Sequence, residues 1–514
     1  MAMRIDNLVA PQLSELWSLR EDTLVESDDG QASLTVHDRW GTVVFEDPDP
    51  ALRQALERMT LGPVSLSNVL PGFPGLWEVD RPGGHGAEVT RLLRDLDRIR
   101  GSLVRSLALG GTPVLSVVPL ARGAWFTPRP APADRPCRLS RFTVMRWAEG
   151  GLRLESPLAH HRVQLHRSEA MLLLGMLDGT AQAGGPRLDP ELARTAIGYL
   201  VAARIAVVAE DAGEPGPDRP SRFTEDDDPR LVGWSPDDLL VHSRSRLGRS
   251  DGPFGATYAH QGRMPAEPVV KPLGNRPALA LYRPDLEELR GGDEPFTSVL
   301  ERRRSVRDHG PEPLTEDRIG ELLFRACRVR ESAGAGRTRG AGTGAGTGPG
   351  GDGADAAWSD RPYPSMGSVY GLELYLVAGP GTELAPGAYH YDPLGHLLEP
   401  LDAPPGDLDE LRSTARTLMG SEQQPPLLLV ITARFRRATH AFSGIAYTSL
   451  LKDVGVLLQN LYLVATAMDL APCALASGNS DTAARAFGLD WPVESSVGEF
   501  VVGTKPREAD PPTA

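Results

Sequence analysis

The sequence predicts an α+β chain of several units: two small ones in which strand hairpins precede helices, a linker with a docking helix, and a larger C-terminal α+β domain. Three observations predict it. Turn-bounded alternating runs and helical stripes succeed each other twice between residues 22 and 208. A stretch rich in Pro, Asp and Glu, 209–233, sets these apart from the C-terminal half. Beyond residue 275, helix signals, strand runs and one long apolar helix alternate up to residue 503.

In the first unit, 1–125, Leu24-Val25 leads into the turn Ser27-Asp28-Asp29-Gly30, and Leu34, Val36, Val43, Val44 and Phe45 follow; Asp-Gly between such runs signals a hairpin. Pro50 opens a helix over 50–59. Leu92, Leu96, Ile99, Leu103 and Leu107 form a helical stripe over 89–108, and Leu115 to Leu120 a short strand. The second unit, 135–210, repeats the order: a hairpin through Glu149-Gly150-Gly151, a strand Val163 to His166, a helix capped by Ser168, a helix opened by Asp189-Pro190 and a strand Ile205 to Val208. Units of this kind are winged-helix-like and suit peptide binding; the plainer reading is a scaffold or dimer platform. Residues 211–275 read as linker plus a docked helix from Trp234 to Leu247, and 276–508 as the large domain. Within it, 332–357 is so rich in glycine that burial cannot offset its ordering entropy, which predicts a disordered loop.

Formal net charge is −14, which disfavours a nucleic-acid partner. The three cysteines, Cys137, Cys327 and Cys473, form no disulfide or zinc pattern and fit a reducing, cytoplasmic setting. No apolar run approaches 18 unbroken residues, so no membrane partner is expected.

Chemistry concentrates in the large domain. If Arg303, Ser305 and Arg307 alternate on an extended segment, two guanidiniums and a hydroxyl share a face that suits phosphate; a solvated basic patch is the alternative. Ser365, Met366 and Gly367 precede a strand, Leu372 to Val377, and let backbone approach a flat ligand. Residues 447–470 form a helix apolar on most faces, which predicts burial nearly all round, at the centre of a domain or of a dimer. Leu475, Ala476, Ser477 and Gly478 lie at a strand-to-turn junction; Lys505 and Arg507 come after the last strand.

The stretches RRRSVRDHGPEPLT, PYPSMGSVYGLELYLVA, GAYHYDPLGHLLEPL, IAYTSLLKDVGVLLQNLYLVATAMDLAPCALASGNSD and SSVGEFVVG together resemble the FMN-dependent nitroreductase superfamily. More narrowly they are similar to the SagB-type peptide dehydrogenases, the azoline oxidases. This resemblance implies a mixed or antiparallel sheet flanked by helices, a homodimer, and FMN held by Arg303, Ser305, Arg307, Ser365 to Gly367, Leu475 to Gly478, and by Lys505 and Arg507. It implies oxidation of thiazoline or oxazoline rings in a cyclodehydrated precursor peptide, with oxygen as final acceptor and a cyclodehydratase as partner. A general NAD(P)H-dependent nitro- or quinone reductase and a non-catalytic scaffold are the alternatives. One departure stands out. Where such oxidases tend to carry a Lys-Tyr pair, this chain has Ala441-Phe442, neither of which moves a proton. Lys452, Tyr447 and His440 are the replacement candidates; desolvation of Lys452 among Leu450, Leu451, Val454 and Val456 would favour its neutral form.

Overall fold

The computed structural model describes residues 12–28, 32–79, 84–148, 150–177, 188–210, 221–333 and 358–506. It divides into two units, Met1–Gly252 and Pro253–Ala514.

The first unit contains β1 (Leu13–Leu19), β2 (Leu24–Ser27), β3 (Ser33–Asp38), β4 (Gly41–Glu46), α1 (Pro50–Leu61), α2 (Ala87–Asp97), β5 (Leu103–Leu109), β6 (Thr112–Pro119), β7 (Cys137–Leu139), β8 (Val144–Ala148), β9 (Gly151–Glu155), β10 (His161–Leu165), α3 (Ser168–Leu177), α4 (Pro190–Ala202), β11 (Ala206–Val208), α5 (Thr224–Asp227) and α6 (Pro236–Arg244). Strands β2, β3 and β4 form a meander on which α1 and α2 bury Leu52, Leu56, Leu92 and Leu96. The remaining long strands form one antiparallel sheet in the order β1-β5-β6-β10-β9-β8. The repeated order of strands then helices is there, but the division at 125–135 is not a boundary between bodies, because β6 pairs with β10 and joins both halves in one sheet. The helical stripe over 89–108 also ends early. Helix α2 stops at Asp97, and Leu103 and Leu107 belong to β5. A spacing of four keeps residues on one face in a helix and equally in a strand, so Ile99, Leu103 and Leu107 fit either.

The expected 211–275 segment divides between the two units. Glu225 accepts from Arg138 Nη2 at 3.0 Å and Ser140 Oγ at 2.6 Å, and Asp251 accepts from Arg162 Nε at 2.8 Å, so α5 and α6 belong to the first unit. Residues from Pro253 onward pack in the second. There β12 (Gly255–Ala256) pairs with a later strand, and Lys271 Nζ donates to Tyr375 and Glu494, each at 2.6 Å.

The second unit continues with β13 (Leu279–Ala280), α7 (Leu286–Gly292), α8 (Phe296–Arg302), α9 (Glu316–Cys327), β14 (Glu331–Ala333), β15 (Trp358–Asp360), β16 (Leu372–Ala378), β17 (Gly387–Asp392), β18 (Leu397–Leu401), α10 (Pro405–Met419), β19 (Leu427–Arg434), α11 (Phe435–Ala441), β20 (Phe442–Ser443), α12 (Ala446–Ala467), β21 (Leu470–Leu475), α13 (Ser480–Phe487) and β22 (Glu494–Thr504). Seven strands pair antiparallel in the order β13-β18-β17-β16-β19-β22-β21. Helices α9 and α12 cover one face with Leu322, Leu323, Leu457 and Leu461; α10 and α13 cover the other with Leu411, Met419 and Phe487. Both faces being covered explains why β19 reads LLLVITAR without alternation. The Gly-rich stretch 334–357 and Arg507 lie outside the described residues.

Helix α12 is long and apolar enough to span a membrane by length and composition. It instead buries Leu450, Val454, Leu457, Leu461 and Ala465 in the core of this unit. Within the single chain burial is one-sided. Tyr447, Leu451, Lys452, Gly455, Val456 and Gln459 form an exposed outer face.

Candidate functional site

The C-terminal end of α12 organises the basic segment. A helix end carries unpaired carbonyls and partial negative charge, and cations gather there. Arg302 Nη2 donates to Thr466 O at 3.3 Å, and Arg318 Nη2 donates to Met468 O. Asp469, just beyond, pairs with Lys505, whose ammonium holds that carboxyl below the usual range. Lys505 is thus committed to a partner within the chain. Arg303, Arg304 and Arg307 are not: none of them makes an ion pair among the described residues. Residues 303–307 run without regular structure, tied down where Val306 N donates to Pro472 O at 2.8 Å. Tyr462, on the buried face of α12, aligns the segment. Its ring lies 5.2 Å from the Arg303 guanidinium, its hydroxyl is 2.6 Å from Ser305 Oγ, and it accepts from Ala474 N at 2.7 Å. Arg307 lies toward Cys473. Three guanidiniums of a segment tied to β21 thus lack an ion-pair partner among the described residues, in a protein of net charge −14.

The second group is the loop before β16. Ser365 Oγ donates to Asp453 Oδ2 at 2.6 Å, Met366 N donates to Asp453 Oδ1 at 3.2 Å, and Tyr370 N donates back to Ser365 Oγ at 2.9 Å. Asp453 is buried on α12, and burial raises its carboxyl, opposed by those two hydrogen bonds. Gly367 sits at φ 60°, and a Cβ there would meet Phe442 Cζ at 2.8 Å, so glycine is required. Phe442 is itself buried, paired through β20 to Ala256 of β12. The positions that could have carried a proton-moving pair hold packing residues here.

The third group comes after β21. Leu475 is buried, whereas Ala476, Ser477 and Gly478 are exposed with no regular pairing, and Asn479 caps α13 by accepting from Thr482 N. Gly478 packs against Glu499 of β22: an added Cβ would lie 2.0 Å from Glu499 Oε1. Glu499 is buried, and burial pushes its carboxyl up to about 7, with a Ser496 hydrogen bond opposing.

None of the three candidate bases is buried in the chain. Tyr447 is 49% exposed at the start of α12, its ring 6.2 Å from that of Phe435. His440 is half-buried in the last turn of α11. Within the single chain Lys452 is exposed, so this chain alone does not desolvate it. Of the four apolar neighbours invoked, Leu450 and Val454 face the core while Leu451 and Val456 face outward with Lys452. An apolar run in sequence does not say which side of the helix the lysine leaves from.

Sequence reasoning missed Tyr462, Asp453 and Glu499. Polar residues on an otherwise apolar helix were the available signal for the first two; nothing local marks Glu499 within its strand.

Residues 300–504 match the family model described as the nitroreductase family, and residues 137–251 match that of the cyanobactin oxidase ThcOx. A nitroreductase-type protein of Methanocaldococcus jannaschii is 26% identical over 196 residues, covering 37% of this chain and 81% of its own. The microcin B17-processing protein McbC of Escherichia coli is 30% identical over 138 residues, covering 25% of this chain and 49% of its own. Among solved structures, a nitroreductase-type protein of Ralstonia eutropha matches 48% of this chain and 100% of its own, at 25% identity and a TM-score of 0.33. The E. coli microcin synthetase McbBCD complex, with truncated pro-MccB17 bound, matches 52% of this chain and 94% of its own, at 21% identity and a TM-score of 0.31.

Proposed function

We propose that this chain, whose residues 300–504 match the nitroreductase family model, oxidises thiazoline or oxazoline rings of a ribosomally made peptide to thiazoles or oxazoles with FMN. The observation that carries the reading is the trio Arg303, Arg304 and Arg307, without ion-pair partners among the described residues, in a segment tied to β21 by Val306 N and Pro472 O. A guanidinium fork suits a phosphate monoester, and exposed backbone at Gly367 and Ser477-Gly478 lets a planar ring approach. No parallel βαβ unit for an adenine dinucleotide occurs among the described residues of the sheet, which favours FMN over FAD. The match of residues 137–251 to a cyanobactin oxidase and the similarity to McbC support a peptide substrate. A cyclodehydratase is then the natural supplier of the rings.

When bound, FMN supplies the two-electron acceptor, with oxygen as the final one. The chain's share is binding and proton handling. Arg303 and Arg307 hold the phosphate; Met366, Gly367 and the 475–478 backbone hold the ring system and orient the azoline. A side chain must take the proton from the ring carbon as the hydride leaves. Tyr447, Lys452 and His440 are the candidates, and a second copy of the chain lying on the outer face of α12 would bring the first two out of water. The apolar residues Tyr447, Leu451 and Val456 on that face favour such a homodimer. The three free cysteines suit the reducing cytosol.

Incubating the purified protein with a cyclodehydrated precursor tests the reading: the peptide should lose the mass of a hydrogen molecule per ring, and the released flavin should be FMN. Consumption of NAD(P)H with a quinone, without peptide oxidation, would establish the general reductase instead, a reading favoured by the Methanocaldococcus relative. Arg303→Ala should weaken FMN binding roughly ten- to a hundredfold by fluorescence titration. Lys452→Met should stay yellow and dimeric while azoline oxidation falls by ~10²–10⁴; near-parental turnover removes Lys452 from the role and leaves Tyr447 and His440.

A further inference from the structure

A cavity of about 950 Å³ opens in the first unit, independent of the oxidase reading. It lies between α2 and the six-stranded sheet, in the size range of small-ligand pockets. Its body is apolar: Trp17, Leu93, Leu96, Leu103, Val117 and Phe126 line it. Two ionisable groups in the wall are already neutralised. Arg105 forks onto Glu15 with two bonds of 2.9 Å and lies 4.6 Å from the Trp17 ring, so its charge needs no ligand. Burial pushes the His161 imidazole down to about 4, so it is an uncharged wall, tilted against Phe126 at 5.5 Å.

The rim differs from the body. Arg94, Arg100 and Arg129 border the cavity, with Asp97 the one carboxylate among the described lining residues. Arg100 takes that carboxylate at 3.1 Å and lies 5.0 Å from the Trp125 ring. Arg94 is 3.8 Å from Asp95 with a mostly exposed side chain, and Arg129 makes no ion pair among the described residues. Two lining polar atoms, His85 Nε2 and Thr127 Oγ1, are buried without a hydrogen-bond partner. Buried polar atoms left unpaired cost free energy unless something fills their valence. An apolar chamber, a cationic rim and unpaired polar atoms call for one kind of occupant.

We infer that this cavity binds an amphipathic carboxylate, an apolar body seated against Trp17 and Phe126 with its anionic end at Arg94 and Arg129. The same chemistry is found in a free alkyl or aryl acid and in an apolar-acidic peptide segment. Isothermal titration of the full chain with decanoate and with N-acetyl-Leu-Leu-Asp separates these sources, and decyltrimethylammonium is the charge control. Saturable one-site binding of either anion, quenching the 63%-exposed Trp125, is the expected result, and the tighter of the two assigns the source. Arg94→Glu combined with Arg129→Glu, both at exposed positions, should weaken it by about tenfold or more. Equal affinity for the cationic control, no saturable binding of either anion, or unchanged affinity in the double variant would each overturn the inference. Leu93→Trp, which fills the chamber, should abolish binding; a circular dichroism spectrum and unfolding transition matching the parent report that the variant is folded.

Discussion

The loops at 364–370 and 475–479 are both supported from beneath by a buried carboxyl, and the two supports are opposite in kind. Asp453 has a donor for each oxygen, Ser365 Oγ and Met366 N, so its charge is distributed into the loop it holds. Glu499 has one hydroxyl, Ser496, and lies against the Gly478 backbone, where a side chain would collide with it. Burial raises both carboxyls, that of Glu499 to about 7. A buried acid with two donors acts as a brace that fixes geometry. A buried acid with too few donors holds a proton, and its state depends on pH.

The strongest way to break this contrast is to remove the brace. Asp453→Ala leaves Met366 N and Ser365 Oγ without their acceptor, and two bonds to a charged group together contribute roughly 4 kcal/mol. The variant should melt well below the parent and lose flavin on purification. Asp453→Asn should be much milder, because one amide oxygen still accepts from Met366 N and the Ser365 hydroxyl can turn to accept from the amide. Equal damage from Asn and Ala would mean the charge itself is required, and the brace description would be wrong.

How much of this was legible in the chain depended on whether the cause was local. Asp189 caps its helix by accepting from backbone N–H groups two and three residues on, and it was readable as a helix start because Asp in that place does this by itself. The hairpin strands β2 to β4 were readable from turn residues and alternation. The basic segment was readable as charge, and the structure adds that its nearby acid, Asp469, is taken by Arg302 and Lys505, leaving Arg303, Arg304 and Arg307 unpaired. Non-local causes were not legible. Asp453 meets a loop 88 residues earlier in the chain, and Glu499 meets Gly478 only because β21 pairs with β22 in one register, Leu475 opposite Glu499. Lys452 and Asp453 are adjacent in sequence, yet one faces out and the other is the brace. Periodicity on a helix apolar all round does not choose between them.

Glu499 gives the subtler test, and its sign can be worked out. An unfolded glutamate titrates near 4.5, and the folded one at about 7. Between those values the folded chain binds the proton that the unfolded chain has released, so stability falls as pH rises through the interval and levels off above it. At about 1.4 kcal/mol per pKa unit, the loss between pH 4.5 and 8 is about 2 to 3 kcal/mol. Glu499→Gln is always neutral and keeps the shape, so it should lack this slope. Denaturant unfolding of parent and variant at several pH values isolates it, since every other titrating group is common to both. The variant should gain on the parent steadily from pH 4.5 to 7 and keep a constant advantage above. A difference independent of pH would place the Glu499 carboxyl among the ordinary ionised ones. It would then be a second brace like Asp453, and the Gly478 loop would rest on a charge.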